Sequence, residues 1–133
     1  MRVARLLDTH IFLAIIEDRV AALPVAIRRV ITDPDDQYYL SVASLWEIAI
    51  KNRLGKLPLQ NRLEELPEIA RHFGIALISI NEDHVLPSVE PEPPTRDPFD
   101  RLLLAQCLVE NMKLITIDTA LIDHPLSATA NRQ

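Results

Sequence analysis

Four short apolar runs, at residues 2–7, 38–42, 75–80 and 113–117, are separated by segments long enough to hold helices. This alternation constrains the fold more than any other feature of the chain. Runs of this length are short for buried helices and lack the in–out alternation of strands with one wet face, so they read as strands buried on both sides. Parallel strands need long crossovers, usually helical. The expected architecture is an α/β domain with a mostly parallel central sheet of about four or five strands flanked by helices. Ligands in such folds collect beyond the C-terminal ends of the strands.

The intervening segments carry helix punctuation. A helix is expected over residues 11–19 with Thr9 as its cap, and another over 25–31 with Pro24 at its first turn. Ser44 and Glu47 have capping-box spacing and predict a helix opening at Ser44 and stopped by Gly55. Residues 62–73 read as helical, restarting at Pro67 and ending at Gly74, and Asn81 caps a short helix through Leu86. Asp97-Pro98 opens the clearest helix, with an acid at the cap and proline at the first helical position, running to Met112 or Lys113. A short helix over 119–122 leads into a polar tail, residues 126–133, expected to fray. Residues 1–133 are expected to form one domain, the usual outcome for this length.

Composition removes several function classes. Only Gly55 and Gly74 occur, so there is no glycine-rich phosphate loop and no G-x-S-x-G nucleophile elbow. Cys107 is the single cysteine, which excludes an intrachain disulfide and zinc sites built on cysteine pairs. Asp8, His10 and Glu17 interrupt the apolar N-terminal stretch, so neither a signal-peptide core nor a membrane span is expected, and the expected location is the cytoplasm. The net charge of −5 argues against holding nucleic acid by charge alone. It does not argue against an enzyme that gathers carboxylates around a cation.

The placement of the acids is the informative part. Asp8 follows the first apolar run and Asp118 follows the fourth. Glu47 falls in the expected first turn of the helix after the second strand, and Asp97 and Asp100 open the helix before the fourth. In a parallel sheet all of these reach the same rim. Each has a structural reading by itself: Asp8 as a turn residue, Glu47 as the capping-box glutamate, Asp97 and Asp118 as caps, and Asp100 as an acid suited to the helix dipole. Caps alone give no reason for strand-ending acids to face helix-opening acids. Crowded carboxylates repel, and a hard divalent cation, Mg²⁺ or Mn²⁺, relieves the repulsion with all-oxygen ligation. Such an ion activates water and steadies a phosphodiester under attack. Metal-dependent hydrolysis of a phosphate ester is the resulting expectation.

Four blocks then resemble a known family. They are Leu6-Leu7-Asp8-Thr9-His10; Ser41-Val42-Ala43-Ser44-Leu45-Trp46-Glu47-Ile48-Ala49-Ile50-Lys51; Asp97-Pro98-Phe99-Asp100-Arg101-Leu102-Leu103; and Leu114-Ile115-Thr116-Ile117-Asp118. In order and spacing they resemble the PIN-domain ribonucleases, and among these the VapC-type toxins of bacterial toxin–antitoxin pairs, over about residues 3–125. The resemblance implies a PIN-like fold and an Mg²⁺- or Mn²⁺-dependent endoribonuclease. It implies metal-binding acids at Asp8, Glu47, Asp100 and Asp118, a polar helper at Thr116, and Asp97 as accessory. It also implies an RNA substrate, a homodimer and a cognate antitoxin. The chain departs from the family at Thr119, where proline or a basic residue is common, and at His124, where an aromatic is common.

Other residues carry weaker signals. Lys51 and Arg53, with Lys56, could track an RNA backbone beside Glu47 or form an ordinary solvated face. Arg101 could contact a phosphate or pair with an acid. Trp46 is assigned to core or dimer packing in preference to base stacking, and Cys107 to the core. His10 lies close enough to Asp8 to reach substrate, whereas His72, His84 and His124 show no ligand spacing. Two alternatives stand beside the nuclease: a metal-dependent phosphomonoesterase, although Asp8-Thr9-His10 lacks a second acid two residues on, and an inactive PIN-like binding module.

Overall fold

A computed structural model describes residues 2–130. The strands are β1 (Ala4–Leu7), β2 (Gln37–Ser41), β3 (Ile75–Ile78) and β4 (Lys113–Ile115). The helices are α1 (Thr9–Ile16), α2 (Val25–Ile31), α3 (Val42–Arg53), α4 (Leu66–His72), α5 (Glu82–Val85) and α6 (Pro98–Glu110). The four strands form one sheet in the order β3-β2-β1-β4, every pairing parallel. The expected α/β architecture is what the chain adopts. Among the described residues no helix is long and apolar enough to cross a membrane.

Both sheet faces are covered, which explains why the strands carry no polar alternation. Leu6 of β1 pairs in register with Leu114 of β4, and Leu7 with Ile115 and with Leu40 of β2. Leu6 and Leu114 point into one core with Leu103, Leu104 and Cys107 of α6. Leu7, Leu40 and Ile115 point into the other, with Ile11 and Phe12 of α1, Ile27 of α2, Ile48 of α3 and Ala70 of α4. Cys107 is fully buried, as expected, and burial pushes its thiol far above the ordinary range.

Several boundaries differ from expectation for local reasons. Asp8, not Thr9, caps α1, accepting a hydrogen bond from the Thr9 N–H. Helix α3 begins at Val42, directly after β2. Ser41 is its cap, and Ser44 lies inside the helix with a buried hydroxyl that has no partner. Glu47 therefore sits in the second turn and closes no capping box. Pro24 is the cap residue of α2, and the stretch before α4 is a 3₁₀ turn over Leu63–Glu65. Asn111, in a left-handed conformation with φ 57°, ends α6 two residues early. Gly74, at φ +75°, turns the chain between α4 and β3, a conformation that would strain any side chain.

Strand β4 ends at Ile115, so Thr116 lies just past it, and residues 119–122 form turns in place of a helix. The segment expected to fray is docked at its start. Leu114 N–H donates to Leu126 O and Ala128 N–H donates to Leu114 O, both at 2.7 Å. A single bridge between Leu114 and Ser127 is all that forms of a fifth strand among the described residues. The rest of that tail, 131–133, falls outside them.

Candidate active site: an acidic cleft at the switch point of the sheet

The connections β1→β2→β3 run to one side of β1, and β4 lies on the other. The C-terminal end of β1, next to β4, is the switch point where a parallel sheet opens a crevice. Asp8 stands there, one residue beyond β1, and is 5% exposed. Its N–H donates to Ile115 O at 2.9 Å, tying it to the neighbouring strand.

Two hydroxyls organise the inner wall. Thr116 Oγ1 donates to Asp8 Oδ2 at 2.7 Å, while Asp8 Oδ1 accepts from Thr9 N–H at 2.7 Å. Thr9 Oγ1 in turn donates to Glu47 Oε1 at 2.6 Å. Glu47 is 7% exposed, and its other oxygen accepts from Lys51 Nζ at 2.7 Å, one helical turn further along α3. Thr9, expected from the sequence only as a helix cap, is the physical link between the first two acids. Its signal was the position itself, a hydroxyl immediately after a strand-ending acid.

The outer wall comes from α6 and the segment after β4. Asp97 caps α6, accepting from Phe99 N–H at 2.9 Å, as expected. Asp100, in the first turn, accepts from Thr95 Oγ1 at 3.2 Å. Asp118 accepts from Ala120 N–H at 2.9 Å, and its own N–H donates to Thr116 Oγ1 at 3.0 Å. Thr116 is thus shared between Asp8 and Asp118.

Electrostatics show that the walls face each other. Partial burial, followed by the charges of Asp97, Asp8 and Asp118, pushes the Asp100 carboxyl up to about 7. Burial also raises Asp8, with Glu47 adding to the rise, against the hydrogen bonds from Thr116 and Thr9 and the charge of His10. Lys51 is raised first by its hydrogen bond to Glu47 and further by Glu47, Asp97 and Asp100. Its ammonium therefore sits in the field of both walls.

The acids converge on one cleft without closing on one point. Among the described residues no group of three stands close enough together to ligate a single ion as it is. The donor chemistry nonetheless fits a hard divalent cation: all oxygen, with the charges of Asp97, Asp8 and Asp118 adding to the partial burial that pushes Asp100 to about 7. The cations named from the sequence behave differently from one another. Lys51 lines the cleft. Arg53 is exposed and donates to Ala49 O at 3.2 Å. Arg101 is spent on its own loop, donating to Thr95 O at 3.0 and 2.7 Å and pairing with Glu92 at 3.0 Å, so it acts as a clamp before α6. His84 and His124 are structural, bonded to Glu110 and to Pro91 O, both at 2.8 Å. Of the two packing readings of Trp46, the core one is overturned: the residue is 59% exposed and its ring makes a T-shaped contact with Phe99.

The switch point of this parallel sheet gathers carboxylates from four separate segments, where ligands of such folds collect. Residues 5–125 match the PIN domain family, and the chain belongs to that family. A stretch of 58 residues is 38% identical to a Mycobacterium tuberculosis protein named Ribonuclease VapC16. That stretch covers 43% of this chain and 41% of that protein, less than half the length of either. No solved structure matches the chain.

Proposed function

We propose that the protein is a divalent-metal-dependent endoribonuclease, the toxin of a toxin–antitoxin pair, which hydrolyses RNA phosphodiesters in the acidic cleft. The observation that carries this reading is the chain of contacts Asp118–Thr116–Asp8–Thr9–Glu47, which joins three segments at the switch point and faces Asp100 across the cleft. Asp8, Glu47, Asp100 and Asp118 would hold Mg²⁺ or Mn²⁺, with Asp97 accessory. When bound, such an ion lowers the pKa of water and stabilises charge on the phosphodiester.

The chain's own residues do the rest. Thr116 orients Asp8, and Thr9 orients Glu47, through hydrogen bonds that leave the second lone pair of each oxygen for other partners. Lys51 holds the outer oxygen of Glu47 and presents positive charge where a phosphate would enter. Without metal, partial burial and the charges of Asp97, Asp8 and Asp118 push Asp100 up to about 7, a repulsion that a bound cation would relieve. A homodimer held by a cognate antitoxin belongs to the same proposal and rests on the family resemblance. A cleft this acidic suits an antitoxin that reaches it with a basic side chain.

The test is cleavage of purified total RNA by the wild type with Mg²⁺ or Mn²⁺, with EDTA, and by Asp100→Asn. Cleavage that needs the metal and is lost in the variant is expected. Cleavage that persists in EDTA, or an Asp100→Asn protein as active as wild type, refutes the assignment of the acids.

A further inference from the structure

Trp46 is the only tryptophan of the chain and is 59% exposed. Its ring does not fill the core. It is held from one side by Phe99, with centroids 5.6 Å apart and planes at 73°. A T-shaped contact of this kind orients the indole, while more than half of the residue stays open to solvent. The two rings come from different helices, α3 and α6, and each is the residue immediately before a cleft acid: Trp46 precedes Glu47, and Phe99 precedes Asp100. The aromatic pair therefore bridges α3 and α6, the two helices that carry Glu47 and Asp100. Lys51, on the same helix as Trp46, carries a cation bonded to Glu47.

We propose that the Trp46–Phe99 pair is a stacking platform for an unpaired base of the RNA, flanking the phosphate held at the acids. The proposal rests on the nuclease reading and deepens it by naming side chains that would grip the substrate. A base inside a duplex has both faces covered, so an indole can stack only on a base in a single strand, loop or bulge. Stacking is tolerant of base identity because every base has a π-face. The platform thus selects unpaired RNA and leaves sequence preference to other contacts. A second copy of the chain is the weaker occupant. A large aromatic buries about 150–250 Å². Two rings and Val42, one turn earlier on α3, fall well short of the roughly 800 Å² per partner of a stable interface.

The single tryptophan makes the test direct. Trp46 emission is followed while an unstructured oligoadenylate is added to the wild-type protein in Ca²⁺, a hard ion that takes the same oxygen ligands less strictly than Mg²⁺. Quenching that saturates with binding is expected, and an abasic site at the stacked position should abolish it. Binding of labelled oligoadenylate, measured by anisotropy, should weaken roughly 5- to 100-fold in Trp46→Ala and be largely kept in Trp46→Phe. Both variants should fold, since the ring is mostly exposed. Cleavage of total RNA by the wild type in Mg²⁺ is measured alongside. Cleavage with silent Trp46 emission and an unaffected Trp46→Ala overturns the platform and leaves the nuclease reading standing. Saturable quenching without any cleavage upholds the platform and removes the nuclease reading. Emission that changes on dilution of the protein but not with oligoadenylate places a second copy on the rings and overturns the proposal.

Discussion

The two walls of the cleft are built on opposite terms. On the inner wall Asp8 and Glu47 are buried, and all four carboxylate oxygens accept hydrogen bonds, from Thr9 N–H, Thr116, Thr9 Oγ1 and Lys51. On the outer wall Asp97, Asp100 and Asp118 are half-buried, and each accepts one such bond, from Phe99 N–H, Thr95 and Ala120 N–H. Satisfied partners make the inner acids a fixed scaffold even though burial raises Asp8. The outer acids have fewer partners, and at Asp100 partial burial, followed by the charges of Asp97, Asp8 and Asp118, pushes the carboxyl to about 7. The inner wall supplies geometry, and the outer wall supplies charge that a cation or substrate proton must answer.

The largest expected effect would erase the distinction. Asp8→Asn and Asp100→Asn should each lower RNA cleavage by orders of magnitude, because both walls would supply ligands for the metal. A single-turnover cleavage assay decides this. If only one of the two variants loses activity, the site uses one wall.

Next in size is Thr116→Val, which removes the hydroxyl shared by Asp8 and Asp118 without changing shape. Metal affinity or activity should fall about 10–100-fold, as for other residues that orient a ligand. Stability should fall by about 1–2 kcal/mol, because a buried acceptor loses its donor. Thr116→Ser should recover most of both. Calorimetric titration with Mn²⁺ and urea denaturation measure the two effects, and a neutral Thr116→Val would show that the inner wall needs no such support.

A smaller effect separates the walls by pH. Asp100 has its folded-state pKa raised from an ordinary value of 3.8 to about 7, so the folded protein holds this proton more tightly than the unfolded chain. The resulting destabilisation is absent below 3.8, grows between 3.8 and about 7, and is complete above that. Asp100→Asn should therefore melt at or above the wild-type temperature at pH 8 without metal, with the gain shrinking as pH falls toward 4. Added Mg²⁺ should reverse the order by stabilising the wild type more. Thermal melts across pH test this, and a variant that melts well below wild type at pH 8 would make Asp100 a structural acid.

The smallest expected effect is that of Asp97→Asn. Asparagine caps a helix about as well as aspartate, so stability should change by no more than a few tenths of a kcal/mol. Cleavage should drop less than in Asp100→Asn. An equal loss in the two would move Asp97 from the cap into the ligand set.

Much of this was legible in local pattern. The acids that end β1 and open α6 could be placed because an apolar run stopping at Asp8, and Asp97 followed by Pro98, are short-range signals. The start of α3 was misread because Ser41 and Ser44 both have cap chemistry. The register of β2 on β3, with Ser41 opposite Ile78, holds Ser41 in the sheet and lets the helix begin one residue later. The spacing of Glu47 and Lys51 was visible as i,i+4, yet nothing local said that the lysine would lie in the field of both walls. The exposure of Trp46 was equally hidden, since helical spacing marks an apolar position without saying whether a neighbouring helix covers it.

The sequence by itself determined the four strands, the six helices α1 to α6, the burial of the sheet on both faces and the chemistry of the donors, because each is written in residue type and spacing over a few turns. Only the tertiary structure decided that β1 lies between β2 and β4. That order brings Thr116 within 2.7 Å of Asp8 across 108 residues of chain, and Thr9 within 2.6 Å of Glu47 across 38. Periodicity records which face a side chain presents. Which strand lies beside which is set by how the covered faces pack together, and that packing is what turns scattered acids into one cleft.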